Sequence, residues 1–270
     1  MKDAEDMTYC VAITTQKGLV FCSDSRTNAG ADMLSTYSKM HVFCPASDRM
    51  FILLTAGNLA TTQAIISRIE SELEEPDSKV NLLSCRKMVD AAKYINDINR
   101  DEQTKAQATT AASKIDTSAT LLFGGQIKDG EPAIFLMYSA GNFIAAAHET
   151  SFLQIGESKY GKPILDRIIT RNTSLEDAAR CALVSMDSTI KSNATVGPPI
   201  EIMVYETDSY ESNHYLRLDE DDDYLRSIRQ SWNEAIQTAF AELPLLEWEK
   251  RTMQPAATNI HPIIHDSHNN

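Results

Sequence analysis

The 270-residue sequence is short of almost every feature that assigns a protein to a class at sight. No apolar run approaches the ~20 residues that span a bilayer, and the opening MKDAEDM lacks the cationic and apolar regions of a signal peptide. The expectation is a soluble, cytoplasmic protein. Basic residues are scarce, 25 Lys and Arg against 38 Asp and Glu, for a net charge of −13. Such a surface cannot neutralise phosphates in a stripe, which excludes nucleic acid and acidic membranes as partners. The cysteines Cys10, Cys22, Cys44, Cys85 and Cys181 are odd in number and without CxxC spacing. They read as reduced core residues, not as a disulfide framework or zinc site. GxSxG, Walker A, HExxH and GxGxxG motifs are all missing, so neither cofactor nor metal is expected. Six histidines, His41, His148, His214, His261, His265 and His268, have no serine or cysteine nucleophile context, which argues against a histidine-based triad. The last three sit in an aperiodic tail that reads as a frayed end.

What is present is a regular alternation of strand and helix clusters. YCVAI and LVFCSD flank a Gly-containing turn as a hairpin, and KMHVF and MFILLT form a second pair around Pro45–Asp48, after a polar loop with Asn28, Gly30 and Asp32. Helical spacing follows at Leu59, Thr62, Ile66, Ile69 and Leu73, and again at Met88, Ala91, Ile95 and Ile98, with Pro76 and Asp77 between. The polar stretch 101–117 is compatible with an extended helix or an exposed loop. TLLFGG, AIFLMY, NFIAAA and FLQIG resume the strands, 161–169 and 175–190 read as helices, the second capped by Ser174, and PIEIMVY and HYLRL close the pattern. Clustered strands and clustered helices disfavour a βαβ sheet. Two packed antiparallel sheets, each covered outside by a helix pair, use every apolar face. The expected division is an extension or propeptide at 1–7, one domain at 8–218, an amphipathic C-terminal helix at 219–250 and a disordered tail at 251–270. The helix carries an apolar stripe, Leu225, Ile228, Trp232, Ile236, Phe240 and Leu243, suited to its own domain or to a neighbouring subunit.

Thr8 stands at the start of the first strand, directly after Met7. If translation begins at Met7, or the first seven residues are removed, Thr8 carries a hydroxyl and a free α-amine on one residue. The amine, with a reference pKa of ~7.7–8.0, suits deprotonation of that hydroxyl at neutral pH. A nearby cation keeps such an amine neutral. Lys39 can be that cation and Asp24 its partner. Taken singly, the alternatives are a strand threonine, a turn cap and a surface lysine.

The segments MTYCVAI, GLVFCSDSRTNAG, STYSKM and LLTAGN resemble the β subunits of the 20S proteasome, and more closely the Anbu family of bacterial proteasome-related proteins. The resemblance runs from about Thr8 to Trp248. It implies an α+β fold, the four-layer αββα sandwich of N-terminal nucleophile hydrolases, with the C-terminal helix as an addition. It implies Thr8 as nucleophile, Asp24 and Lys39 as the ion pair that tunes it, Arg26 in the DSR segment that shapes the site, and Gly57 as oxyanion donor. Such a donor is commonly worth roughly 3 to 4 kcal/mol. The Thr8-to-Lys39 separation is one residue shorter than in typical proteasome β subunits. The assisting serine and aspartate of proteasomes align with the less similar IGESK and TIKSN, making Ser158 and Ser192 the candidates, beside Glu157 and Asp187. A turn or cap role is the alternative for each. Thr27, Thr55 and Leu59 line the pocket or belong to the core. The resemblance further implies a peptidase acting on peptide or protein substrates within a ring or helical ring-like homo-oligomer. An amidohydrolase of the same fold and a non-catalytic scaffold subunit are the competing expectations.

Overall fold

A computed structural model describes residues 8–28, 34–75, 80–112, 115–147 and 149–253. The expected extension at 1–7, the breaker at Pro76 and Asp77, and the three-histidine tail lie outside these residues. The chain divides into two compact units after Gln230.

In the first unit, strands β1 (Tyr9–Thr14), β2 (Gly18–Asp24), β10 (Phe152–Gly156), β11 (Ile200–Glu206) and β12 (His214–Leu218) form one antiparallel sheet in the order β10-β1-β2-β11-β12. Strands β5 (Met40–Ala46), β6 (Arg49–Gly57), β7 (Ala119–Ile127), β8 (Ala133–Met137) and β9 (Phe143–Ala145) form the other, in sequential order. Side-chain alternation with period two builds the layers. Cys10, Ala12, Leu19 and Phe21 meet Met50, Ile52, Leu54 and Leu122 in a core between the sheets. The intervening residues Tyr9, Val11, Ile13, Val20 and Cys22 pack outward with α3 (Ser158–Ile168) and α4 (Leu175–Ser192). Phe51, Leu53, Leu121 and Phe123 pack with α1 (Leu59–Glu74) and α2 (Met88–Thr110) on the opposite side. The result is the four-layer αββα sandwich.

Local sequence accounts for the helix starts. Asn58 and Ser174 accept the backbone N–H of Thr61 and Asp177, as N-caps do. Asp222 accepts those of Tyr224 and Leu225 at the start of α5 (Asp223–Ala241).

Several boundaries differ from the sequence reading. The ambiguous stretch 101–117 extends α2 to Thr110, where Gln103 and Asn99 are buried and hydrogen-bonded at 2.9 Å. The polar loop contains a two-stranded ribbon, β3 (Arg26–Asn28) with β4 (Leu34–Thr36), too short to show alternation. Gly30 and Asp32 lie outside the described residues. Helix α3 begins at Ser158, three residues ahead of the expected start. All five cysteines are unpaired, but Cys44 is exposed on β5 and not a core residue.

The expected C-terminal helix is two helices. α5 ends at Ala241, and α6 (Glu247–Met253) follows Pro244, whose ring and missing N–H oppose a continuous helix. Within the first unit, Leu225 is buried and Ile228 packs on the α4 cluster. In the second unit Phe240 is 73% and Trp248 66% exposed, alongside exposed Ile236, Leu243, Leu245 and Leu246. Among the described residues no helix is long and apolar enough to cross a membrane.

Truncating the inter-sheet core at Leu54, which is fully buried, is expected to cost about 2–5 kcal/mol in urea unfolding. Asn58→Ala, which removes the cap of α1 and a hydrogen bond to the Asp116 carbonyl, is expected to cost about 0.5–2 kcal/mol.

Candidate active site

One end of the sandwich gathers the chemistry. Thr8 immediately precedes β1, Asp24 ends β2, Lys39 immediately precedes β5, and Gly57 ends β6. Antiparallel pairing returns these termini to the same edge. Thr8 has the parity of Cys10 and Ala12, which face the opposing sheet. Its carbonyl accepts the N–H of Glu157 at 2.7 Å, which ties it to the end of β10.

Asp24 is fully buried, and its position is held by three donors. Lys39 Nζ approaches Oδ1 at 2.7 Å, Tyr9 N–H reaches the same oxygen at 3.1 Å, and Gly197 N–H reaches Oδ2 at 3.3 Å. Burial pushes the Asp24 carboxyl above its ordinary range, and Lys39 with the two N–H groups pulls it back. The Lys39 ammonium also donates to the Arg26 carbonyl at 2.8 Å. Both charges are therefore taken out of water as a hydrogen-bonded pair, the condition under which a buried ion pair is tolerated.

A cavity of about 40 Å³ opens beside the pair, its wall including Thr8, Arg26, Thr27, Lys39, Thr55 and Gly57. That is room for about two or three waters. A groove of about 400 Å³ shares Ser38, Thr55, Leu59 and Thr62 with it and continues to Tyr37, His41 and Gln63. Burial pushes the His41 imidazole below its ordinary range, against an opposing pull from Glu201. Gly57 has φ +107°, and a Cβ there would lie 2.4 Å from the Ser118 carbonyl oxygen. Only glycine suits both the backbone angle and the close approach.

The arrangement has counterparts among known proteins. A family model for proteasome subunits matches residues 7–205. Anbu from Yersinia bercovieri is 42% identical, with 89% of this chain and 100% of that one covered at a TM-score of 0.83. The chain belongs to the Anbu family of proteasome-related proteins. The Anbu complex from Pseudomonas aeruginosa, solved as a helical assembly, is 42% identical over 93% of this chain and all of that one, with a TM-score of 0.84. Anbu from Hyphomicrobium is 40% identical, covering 89% and 100% at a TM-score of 0.80. No curated protein matches the sequence.

In this Anbu chain Thr8, Asp24, Arg26, Lys39 and Gly57 come together, as do Thr27, Thr55 and Leu59. Arg26 also braces the neighbouring loop, donating to the Ala194 carbonyl at 2.8 Å. Ser158 and Ser192 do not line the cavity. Ser158 is half-buried as the first residue of α3, and Ser192 is exposed at the end of α4. Asp187 is bound to Arg229 at 2.6 Å. Their neighbours lie nearer the centre. Buried Glu157, whose N–H holds Thr8, accepts Asn193 Nδ2 at 2.9 Å and pairs with Lys159 at 3.0 Å. Sequence reasoning missed Asn193 and Gly197, which no local pattern marks, although the G-P-P turn after Val196 signals a fixed backbone. Among the described residues no His, Cys, Asp and Glu cluster is arranged to hold a metal.

Replacing Lys39 by Met leaves Asp24 buried without its cation, and the expected loss is about 3–5 kcal/mol in urea unfolding. Gly57→Ala is expected to cost at least ~1–3 kcal/mol through backbone strain alone.

Proposed function

We propose that this Anbu chain is an N-terminal threonine hydrolase that cleaves peptide bonds. The observation that carries the reading is the buried Asp24–Lys39 pair, 2.7 Å apart, whose Lys39 lines the same small cavity as Thr8 and Gly57.

With Thr8 as the first residue of the mature chain, its α-amine takes the hydroxyl proton as Oγ attacks the carbonyl carbon. The adjacent ammonium of Lys39 disfavours protonation of that amine beforehand. The tetrahedral oxyanion takes a hydrogen bond from Gly57 N–H. Collapse breaks the C–N bond, the ammonium of Thr8 returns the proton to the departing amine, and an ester on Oγ remains. Water, deprotonated by the same α-amine, then attacks the ester and releases the acid. Nothing in this cycle calls on a metal or nucleotide. The cavity is too small for a side chain, but the adjoining groove of about 400 Å³ has room for one. That favours peptides over small amides.

The proposal extends to self-association as a cytoplasmic homo-oligomer, ring-like or helical. The exposed stripe from Ile236 to Trp248 supplies apolar surface for such contacts, and the Pseudomonas relative is described as a helical assembly.

Purified protein treated with an electrophile selective for N-terminal threonine should carry one adduct, located by peptide mass spectrometry on a chain that begins at Thr8. Thr8→Ala should lower peptide hydrolysis by at least ~10³-fold. Modification elsewhere, or equal labelling of Thr8→Ala, overturns the assignment, and cleavage of small amides alone transfers it to an amidohydrolase. In sedimentation velocity, Phe240→Asp with Trp248→Asp should shift the protein to smaller species.

A further inference from the structure

Behind the ion pair lies a second buried carboxylate that the proposed cycle does not use. Glu201 sits in β11 and is 2% exposed. Its recorded hydrogen bonds all come from hydroxyls. Ser25 Oγ donates to Oε2 at 2.9 Å, Ser38 Oγ lies 2.9 Å from both oxygens, and Tyr215 on β12 donates to Oε1 at 2.5 Å. Two of these donors occupy particular places in the chain. Ser25 directly follows Asp24, and Ser38 directly precedes Lys39.

From this geometry we infer that Glu201 is a positioning residue that holds the two halves of the ion pair together through the hydroxyls of their sequence neighbours. The inference rests on the hydrolase reading of Thr8. Asp24 belongs to the end of β2 and Lys39 to the start of β5, which lie in different sheets. The β3–β4 ribbon, which pairs Arg26 with Thr36, and the Tyr37 N–H bond to the Ser25 carbonyl at 3.0 Å join their segments through the backbone, and the Glu201 carboxylate adds a side-chain bridge from Ser25 to Ser38. Ser38 also lines the Thr8 cavity, so the bridge sets part of its wall. A side chain serving only to fill this space would be cheaper without charge, since a buried carboxylate has a large desolvation cost. Four lone-pair sites suit the task, because one carboxylate can accept from several hydroxyls at once.

The experiment compares Glu201→Leu, Glu201→Gln, the paired Ser25→Ala and Ser38→Ala variant, and Arg229→Ala as a control. Arg229→Ala breaks the ion pair to Asp187, away from the cavity. Two measurements are made: the saturating rate and half-saturation concentration of Thr8 modification, and the Lys39–Asp24 distance in crystal structures. Glu201→Leu, which leaves the buried Ser25 hydroxyl without its acceptor, should lower the melting temperature modestly while the saturating rate falls about 100-fold, the loss that follows a misplacement of about 1 Å. The half-saturation concentration should stay within about threefold. Glu201→Gln, whose amide oxygen keeps one serine bond, should fall between Leu and wild type, and the serine pair should match Leu. Arg229→Ala should lose stability and keep its rate. In the Glu201→Leu or serine-pair crystals the Nζ–Oδ1 separation should exceed hydrogen-bond length. An unchanged separation overturns the inference whether or not Thr8 reacts, and so does a rate loss that merely tracks melting temperature. Failure of wild-type Thr8 to react, with the separation changed in the variants, overturns the hydrolase reading and leaves the positioning role of Glu201 standing.

Discussion

The buried Asp24–Lys39 ion pair is the constraint around which this end of the molecule is organised. Two charges removed from water cost several kcal/mol each unless every lone pair and proton finds a partner. Here the partners come from separate parts of the chain: Tyr9 N–H at the start of β1, Gly197 N–H ahead of β11, and the Arg26 carbonyl at the start of the β3–β4 ribbon. Pair and register therefore specify each other. Pairing Cys10 with Ser23 and Ile200 with Asp24 places those donors at the carboxylate. A slip of one residue between β1 and β2 would turn the apolar set of β1 inside out and withdraw Tyr9 from Asp24 in the same movement.

This coupling explains why an α+β sandwich suits the proposed chemistry. Two sheets back to back bury one face of each strand between them and the other under helices, so the centre is dry and closely packed. The strand ends are where polar groups can meet. Thr8 precedes a strand flanked on both sides, by β10 and β2, and its carbonyl is pinned by Glu157. A nucleophile held on such an element has little freedom to lose when substrate binds. Gly57, at the end of a central strand of the facing sheet, presents its backbone without a Cβ in the way.

Much of this was legible before any coordinates. Short continuous β-rich runs such as YCVAI and MFILLT marked the strands because both faces of each are buried, and the capping residue Ser174 marked a helix start. The grouping of Thr8, Asp24, Lys39 and Gly57 came from the chemistry of an amine next to a hydroxyl together with the family resemblance. What stayed hidden shares one cause. Glu201 meets Ser25 across 176 positions and Ser38 across 163, and Asn193 meets Glu157 across 36. No local pattern records a contact at that distance. The expectation for Ser192 and Asp187 leaned on segments that aligned poorly. In the structure Arg229 of α5 takes the Asp187 carboxylate, while the neighbouring Asn193 turns toward Glu157. The break between α5 and α6 is marked in the sequence by Pro244, which the apolar residues at helical spacing on its N-terminal side obscure.

The overall charge of −13 says little about the field at Thr8. Charges on the surface are screened within ~8 Å at physiological salt, whereas buried ones are not. At the cavity the relevant charges are few: Lys39 and Arg26 in its wall, Asp24 beside it, and Glu201 behind Ser38. Along the adjoining groove the lining is hydroxyl-rich, and burial disfavours the charged form of its one imidazole, His41. A substrate reaching Thr8 therefore leaves an acidic exterior for a lining of small neutral dipoles. The ammonium of Lys39 there is partnered, and its role in the proposed cycle is confined to the α-amine. That confinement is what a buried, doubly anchored cation provides and a flexible surface lysine does not.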